Sequence, residues 1–497
     1  MENEIQQLRQ ALLNSTPSTS SSNQFRERND DVPNPSDWEA QLSDSPSETV
    51  NPPPIPFLAL PQQSPGRTPA TSSSAPYRIL GDVGLTIGQV TEHFKTYFGR
   101  CHRYLPFKMR AHSADDIYSK CPLLFWVICA VTSSLKSQFQ LAPMIQAMIA
   151  DILHSSAHSI ETVQALLILC MWPFRITKLI DDPSYFYCGL ATQIGLQLGL
   201  HRPNQTHSHH YSAETNSTGK DDEVKLTTWL ACFVVNQMQS SCLGIPPSTS
   251  ADFHLLKSFD NPAVDSDLSQ LCRIYQLLSQ STLAISVNGS TPSGMLESDA
   301  RLNMMKLCGE QLSELQVQHL ENMSIVVKIH FLCSRLQLWS FALLGDMYMS
   351  KELQDIIKKA EDDACEIIEL CYGMNLTVAP YHICRAICYS AVALARIIRL
   401  AQTTRSEVLE DIIERVRHAL SSASSSEDDI INKASVMLRK LPYLEDRRRS
   451  PPILSRMGAS LLYDSMKMCW ENSHESRPND QLENISLDGF DWSSLAL

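Results

Sequence analysis

The chain has 497 residues, 43% of them apolar, which is enough to bury the core of one or two compact units. Its 54 acidic residues outnumber its 41 basic residues, and the net charge of −13 disfavours unaided binding to nucleic acid, which depends on lysine and arginine at the phosphates. No apolar run approaches the roughly 20 residues of a membrane-spanning helix. The polar start MENEIQQLRQ does not resemble a signal peptide, so we expect an intracellular protein with no membrane partner.

Residues 1–14 have the spacing of a short coiled coil. Ile5, Leu8 and Leu12 follow Met1 at intervals that place them on one seam, with Glu, Gln and Arg around it. The spacing predicts a coiled-coil remnant that contributes Ile5, Leu8 and Leu12 to a homodimer or heterodimer. A frayed terminal helix is the alternative, because so short a coil is marginal in water.

Residues 15–76 contain twelve of the 27 prolines, many serines and few large apolar residues. Such a segment cannot bury enough surface to offset the entropy of ordering it, so we predict a disordered linker. NPPPIPFLALPQQSP within it also suits a proline-recognition domain, although a spacer is the favoured interpretation.

From Tyr77 to residue 471 the pattern is helical. Thr86 is placed to cap a helix with Ile87, Val90 and Phe94 on its apolar face. Residues 122–131 are apolar on all sides, which predicts a helix at the centre of the domain. Further helices are expected over 226–243, 306–346, 352–371 and 382–402, with a loop over 287–298. Because alternating strand patterns are nearly absent, the sequence predicts an all-α domain over 77–471.

A helix pair between Glu161 and Pro203 organises the domain. Apolar residues recur at helical spacing in both halves. Asp182 can accept a hydrogen bond from the first turn of the second helix, and Pro183 suits its first position. Gly199 suits the left-handed residue that closes it.

Three patterns are candidates for an enzyme or metal site. The DDxxE sequence of Asp362, Asp363 and Glu366 resembles the magnesium-binding motif of terpene cyclases and prenyltransferases. Helical geometry, however, places Asp362 and Glu366 opposite the apolar stripe, on a solvated face. Cys384 and Cys388 lie one turn apart without further ligands, which favours buried thiols. The loop histidines form the third pattern, and a solvated loop is favoured for them: His207, His209 and His210. Neither GxGxxG nor GxSxG occurs, so we predict no catalytic residue and no metal site.

Two segments near the C-terminus suggest transcriptional roles. The basic run Arg447–Arg449 suits a nuclear-import signal, with an exposed loop as the favoured alternative. In the tail, residues 472–497, four apolar residues are interleaved with Asp488 and Asp491, a pattern that suits a disordered activation segment binding a coactivator groove. A tail docked on the domain itself is the alternative. The four predicted partner-binding residues are Leu487, Phe490, Trp492 and Leu495.

Five segments resemble the middle regulatory domain of fungal binuclear zinc-cluster transcription factors, most closely the regulators of branched-chain amino acid synthesis and of secreted proteases. They are GDVGLTIGQVTEHFKTYF, PLLFWVICAVTSS, DDPSYFYCGLATQIGLQLGLHRP, LTTWLACFVVNQMQSSCLGIPP and SRMGASLLYDSM. The resemblance implies an all-α regulatory domain, a nuclear location and a regulatory role. The family's zinc cluster needs CxxC pairs, whereas this sequence has none and its first cysteine is Cys101.

We therefore expect no zinc cofactor in this chain, with DNA contacted only indirectly or through a missing N-terminal zinc cluster. The expected function is that of a nuclear regulator of RNA polymerase II genes, in metabolism, nutrition or secondary metabolism, with coactivators as partners and a small-molecule effector as a further candidate. A helical metabolite-sensing or scaffold protein without DNA binding of its own is the alternative. A terpene cyclase-type enzyme is the less favoured third interpretation.

Overall fold

The computed structural model describes residues 77–109, 113–154, 158–202, 219–401, 406–424, 426–444 and 452–473. The predicted coil residues Ile5, Leu8 and Leu12, the linker, the loop histidines and the basic run lie outside these ranges. So does the predicted tail, apart from its first two residues, which belong to the last helix. The described residues belong to one unit, Ser74–Leu497. Nearly all of its regular structure is helical, so the prediction of an all-α fold is confirmed.

The unit begins with a small antiparallel hairpin, which the sequence did not predict. Strand β1 covers Tyr77–Leu80 and strand β2 covers Val83–Thr86. They pair from Tyr77 opposite Thr86 to Leu80 opposite Val83, with Gly81 at φ +56° in the turn. Strands of four residues are too short to show a clear alternation of apolar and polar residues, so the pattern gave no signal.

Sixteen helices follow within the described residues. The first eight are α1 Ile87–Thr96, α2 Ala114–Lys120, α3 Pro122–Val131, α4 Leu135–Ile152, α5 Ile160–Met171, α6 Ser184–Gln197, α7 Gly219–Leu243 and α8 Phe253–Ser258. The second eight are α9 Ser266–Ser286, α10 Ser298–His319, α11 Ile325–Trp339, α12 Lys351–Tyr372, α13 Tyr381–Ala401, α14 Ser406–Ala423, α15 Ile430–Lys440 and α16 Ser460–Ser473.

Several helix ends were predicted correctly because their signals are local. The Thr86 hydroxyl accepts from the Gln89 amide while the Gln89 side chain accepts from the Thr86 amide, which forms a capping box. Asp182 accepts from the Ser184 amide at 2.9 Å. Pro183, however, is the cap residue of α6 rather than its first helical residue. Gly199 has φ +70°, as predicted for the end of this helix.

The core is centred on α3 and α5. From Leu123 to Ala130 every residue of α3 is buried, with Phe125 and Trp126 in edge-to-face contact at 5.2 Å between ring centroids. Helix α5 is buried from Thr162 to Met171 and packs against α6 and α7. Burying one large apolar side chain contributes about 1.5–3 kcal/mol, so each of these two helices adds substantially to the stability of the core.

Two expectations for the helical segments were wrong in detail. Ile87 was placed on the buried face of α1, but it is 54% exposed. The segment predicted as one long helix over 306–346 is divided into α10 and α11. The break spans Leu320–Ser324, where Asn322 has φ +54° and the Ser324 hydroxyl caps α11 by accepting from the Val327 amide.

Candidate functional site

Segments that are far apart in the sequence meet at the C-terminal end of α7. Gly244 follows this helix with φ +63° and lies against the Arg456 carbonyl, so closely that a Cβ at this position would overlap it. The Ser340 hydroxyl donates to the Gly458 carbonyl at 3.2 Å, and the Tyr389 hydroxyl donates to the same oxygen at 2.5 Å. The segment around residues 456–458 is therefore held between α7, α11 and α13.

The α5–α6 pair is joined to the same end of α7. The Gln239 amide donates to the Cys170 carbonyl at 3.0 Å, and the Tyr185 hydroxyl donates to the Pro246 carbonyl at 2.9 Å. Within the helices, Gln164 donates to the Thr228 hydroxyl at 3.2 Å. Three segments that the sequence singled out thus form one packed junction.

Two cavities lie beside this junction. The first has a volume of about 90 Å³ and lies between α13, α14, α15 and α16. Its wall is mostly apolar, and representative residues are Leu420, Ile430, Met437, Leu462 and Met466. The second, of about 50 Å³, lies between α7, α9, α11 and α13. Arg385 and Leu462 line both cavities, so the two are adjacent, and no acidic side chain lines either one.

Arg385 on α13 carries the positive charge between the cavities. Its guanidinium donates to the Cys242 carbonyl at 2.8 Å and lies over the Tyr381 ring at 5.8 Å from the centroid. Neither the Cys242 carbonyl nor the Tyr381 ring carries a full negative charge. Cys242 lies in the last turn of α7, whose dipole supplies only about half an elementary negative charge. Asp182 also interacts electrostatically with Arg385.

His330 and His382 form a buried pair that faces the second cavity. Their ring centroids are 4.8 Å apart with a tilt of 31°. His330 is hydrogen-bonded through Nδ1 to the Tyr275 hydroxyl at 2.8 Å, whereas both ring nitrogens of His382 lack a partner among the described residues. Burial lowers the pKa of His330 to about 4. Burial, then His330 and Arg385, holds the pKa of His382 well below its usual range. Both rings are therefore neutral near pH 7.

Most of the cysteines are buried thiols. None of the fifteen, all of which lie in the described ranges, forms a disulfide, and Cys384 and Cys388 are buried on the wall of the first cavity, as is Cys469. Burial raises the pKa of Cys384 and of Cys388 to about 12, so both remain protonated near pH 7. Within the described ranges no group of three or more His, Cys, Asp or Glu side chains has an arrangement that would hold a metal ion.

The DDxxE residues of α12 do not converge on a cavity. Asp362 and Glu366 are on the exposed face, paired with Lys358 at 3.0 Å and with Lys328 at 2.5 Å. Asp363, which the sequence did not single out from its neighbours, is buried. It accepts from the Trp339 indole at 2.9 Å and pairs with Arg335 at 3.0 Å. The three carboxylates each pair with a different basic side chain, and none of them lines either cavity.

Asp363 should make stability depend on pH. Burial raises its pKa from the ordinary value of 3.8 to about 6, although Arg335 opposes the shift. The folded chain therefore binds this proton more tightly than the unfolded chain. Protonated Asp363 contributes its full stabilisation of the folded chain below about pH 4. This contribution falls by on the order of 2 kcal/mol as the pH rises to about 6.

The variant Asp363→Asn keeps an oxygen acceptor for Trp339 but does not titrate. We expect its free energy of unfolding to lack the decrease between pH 4 and 6, as measured by chemical denaturation of both proteins at several pH values. Parallel pH curves for the variant and the natural protein would contradict the assignment.

Arg385, His382 and His330 are site residues that the sequence pattern did not predict. The available signal was the stretch YHICRAIC, in which His382 and Arg385 stand three residues apart among apolar residues of a predicted helix. Polar residues at that spacing share a face. Which face is buried depends on α7, α9 and α11, and this packing is not visible in the local pattern.

Part of the helical unit is similar to a known protein family. Residues 94–286 match the fungal specific transcription factor domain. The transcriptional regulatory protein SEF1 of Candida albicans is 29% identical over 86% of this chain and 51% of its own length. The putative transcription factors SEF1 of Kluyveromyces lactis and of Saccharomyces cerevisiae are each 26% identical, over 83% and 78% of this chain.

The chain spans about half or less of the length of these relatives, with 39% and 38% of the latter two covered. No solved structure matches the chain. None of the helices in the described part is long and apolar enough to cross a membrane. The resemblance found in the sequence motifs is confirmed by this match: residues 94–286 are similar to the fungal specific transcription factor domain.

Proposed function

We propose that this chain is the regulatory part of a nuclear fungal transcription regulator that acts on RNA polymerase II genes, in metabolism, nutrition or secondary metabolism. The observation that carries the proposal is the match of residues 94–286 to the fungal specific transcription factor domain. Relatives named as transcriptional regulators, aligned over 78% to 86% of this chain, support it further.

In this proposal the helical domain regulates the activity of the protein, and the tail acts on transcription. The chain reaches DNA through a partner or through a zinc cluster that precedes it, and dimerises as a homodimer or heterodimer through Ile5, Leu8 and Leu12. Coactivators bind Leu487, Phe490, Trp492 and Leu495. The basis for both assignments is the sequence pattern of these segments.

The experiment that tests the function is a tethering assay. The full chain is fused to an unrelated DNA-binding domain in a fungal host, and reporter transcription and location are measured. We expect the fusion to accumulate in the nucleus and to change reporter transcription. This change should be smaller when residues 472–497 are removed. A fusion that reaches the nucleus at normal level and leaves transcription unchanged would contradict a regulatory output.

A second expectation concerns zinc and DNA. We expect the purified chain to hold no stoichiometric zinc and to bind specific and random DNA duplexes equally weakly at physiological salt, because the sequence has no CxxC pair and a net charge of −13. Metal analysis and a binding titration measure the two properties.

Retention of one zinc per chain after dialysis against a weak chelator would contradict the first half. In that case the variant Cys384→Ser would show whether the thiols on the wall of the first cavity hold it, with Cys272→Ser as a buried control from another helix.

The alternative function, a metabolite-binding or scaffold domain without transcriptional output, is favoured by one observation: the cavities beside Arg385 and His382. The tethering assay separates the two functions. An enzyme of the terpene cyclase type has less support, since Asp362, Asp363 and Glu366 face different surroundings. We propose no catalytic activity and no cofactor for this chain.

A further inference from the structure

The second cavity contains a polar side chain that is buried with no hydrogen-bond partner. His382 is 9% exposed, lines the cavity, and has neither ring nitrogen paired among the described residues. A neutral imidazole offers one donor and one acceptor. A buried polar group left in this state is costly, and each such group calls for an explanation such as water or a ligand.

One helical turn further along α13, Arg385 presents a positive charge to the same space. Residues three apart on a helix share a face, so the donor of His382 and the guanidinium can act on one group. The Cys242 carbonyl and the Tyr381 ring carry no full negative charge, and no ion pair links Arg385 to Asp182 in the described part of the chain, so part of the charge is left uncompensated. With no acidic side chain in either wall, the electrostatics favour an anion.

The first cavity begins on the other side of Arg385 and is apolar. Its wall consists largely of aliphatic and sulfur-containing side chains, including Met437, Leu462 and Met466. Lys433 also lines it, but its ammonium donates to the Thr177 carbonyl at 2.9 Å. Empty cavities of this polarity take up small apolar groups, as the benzene-binding cavities of about 150 Å³ illustrate. A volume of about 90 Å³ suits a short aliphatic chain.

We propose that the two cavities form one binding site for an aliphatic monocarboxylate. The carboxylate lies between Arg385 and His382, and the aliphatic chain occupies the first cavity. A carboxylate accepts hydrogen bonds only, which matches the guanidinium and the N–H of neutral His382. Because the site lies between α7, α13 and α16, the bound acid ties together the junction described above. This proposal goes beyond transcription regulation and does not depend on it.

The test measures binding to the full chain by calorimetry and by thermal unfolding, with sodium hexanoate at millimolar concentration as the probe. Hexanoate should raise the unfolding midpoint, because a ligand that binds the folded state stabilises it by mass action. Hexanamide has the same chain without the charge, and acetate has the charge without the chain. Both should shift the midpoint less than hexanoate does.

Variants then locate the site. Arg385→Met should weaken hexanoate binding by about tenfold or more, since charged hydrogen bonds are among the strong ones. Arg415→Met is the matched control, because Arg415 pairs with Glu369 on the surface and lines neither cavity. His382→Phe keeps a ring against His330 while removing the N–H donor. It should fold at least as stably without ligand and bind hexanoate several-fold more weakly, so it carries the test if Arg385→Met fails to fold.

Three results would overturn the proposal. If hexanoate does not change the midpoint of thermal unfolding, the cavities hold ordered water only. If Arg385→Met and His382→Phe bind hexanoate as the natural chain does, the acid binds elsewhere. If adipate, with a carboxylate at both ends, binds more tightly than hexanoate, the first cavity is not an apolar pocket.

Discussion

Replacing Phe490 and Trp492 by alanine is expected to abolish activation of a reporter by residues 472–497 fused to an unrelated DNA-binding domain. The physical reason is that a few large aromatic anchors carry most of the energy when a short segment binds a groove. Losing one such anchor typically costs about 2 kcal/mol or more, so losing both reduces affinity on the order of a thousandfold. Reporter activity, corrected for the amount of fusion protein, is the measurement.

The matched control changes charge rather than aromatic surface. Asp488→Asn with Asp491→Asn should reduce activation much less, because charges steer encounter and keep the aromatic residues solvated rather than filling a pocket. If the double alanine fusion activates as well as the unaltered tail, the tail does not bind a coactivator through these residues. The helical domain would then be the remaining candidate for partner binding.

The parts of the fold that were predicted from the sequence are those specified by a few neighbouring residues. The cap at Thr86, the closing Gly199 and the uniformly apolar α3 each depend on contacts within one or two helical turns. The break between α10 and α11 was missed because Leu320–Ser324 contains neither glycine nor proline. There the chain turns through Asn322 in the left-handed region, and no strong local signal marks that conformation.

The residues of the candidate site were harder to predict from the sequence, because the site is defined by which side chains are buried. Asp363 belongs to a helix whose apolar stripe was read correctly, yet its place next to Trp339 on another helix decides that it is buried. His382 and Arg385 lie in an apolar helix, and only the packing of α7, α9 and α11 leaves space around them. Periodicity indicates which residues share a face, but it does not indicate what the neighbouring element places opposite that face.

The second large expected effect is on stability and concerns the junction at the end of α7. We expect Gly244→Ala to lower the free energy of unfolding by about 3 to 5 kcal/mol, within the upper range for single substitutions. Two costs combine. Gly244 has φ +63°, a conformation that disfavours alanine. An added Cβ would also overlap the backbone carbonyl of Arg456, which cannot rotate away as a side chain can.

The damage should extend beyond position 244, because moving the Arg456 carbonyl also displaces Gly458, whose own carbonyl accepts from Ser340 and Tyr389. Gly189→Ala in α6 is the control, since its added Cβ has no atom within 4 Å apart from its chain neighbours and the backbone of its own helix. Alanine is the better helix former there, so we expect that variant to be more stable by about 0.5–1 kcal/mol. The midpoints of denaturant unfolding measure both changes. A Gly244→Ala midpoint equal to that of the natural chain would mean that residues 456–458 move freely, and that α7, α11 and α13 are not held together through them.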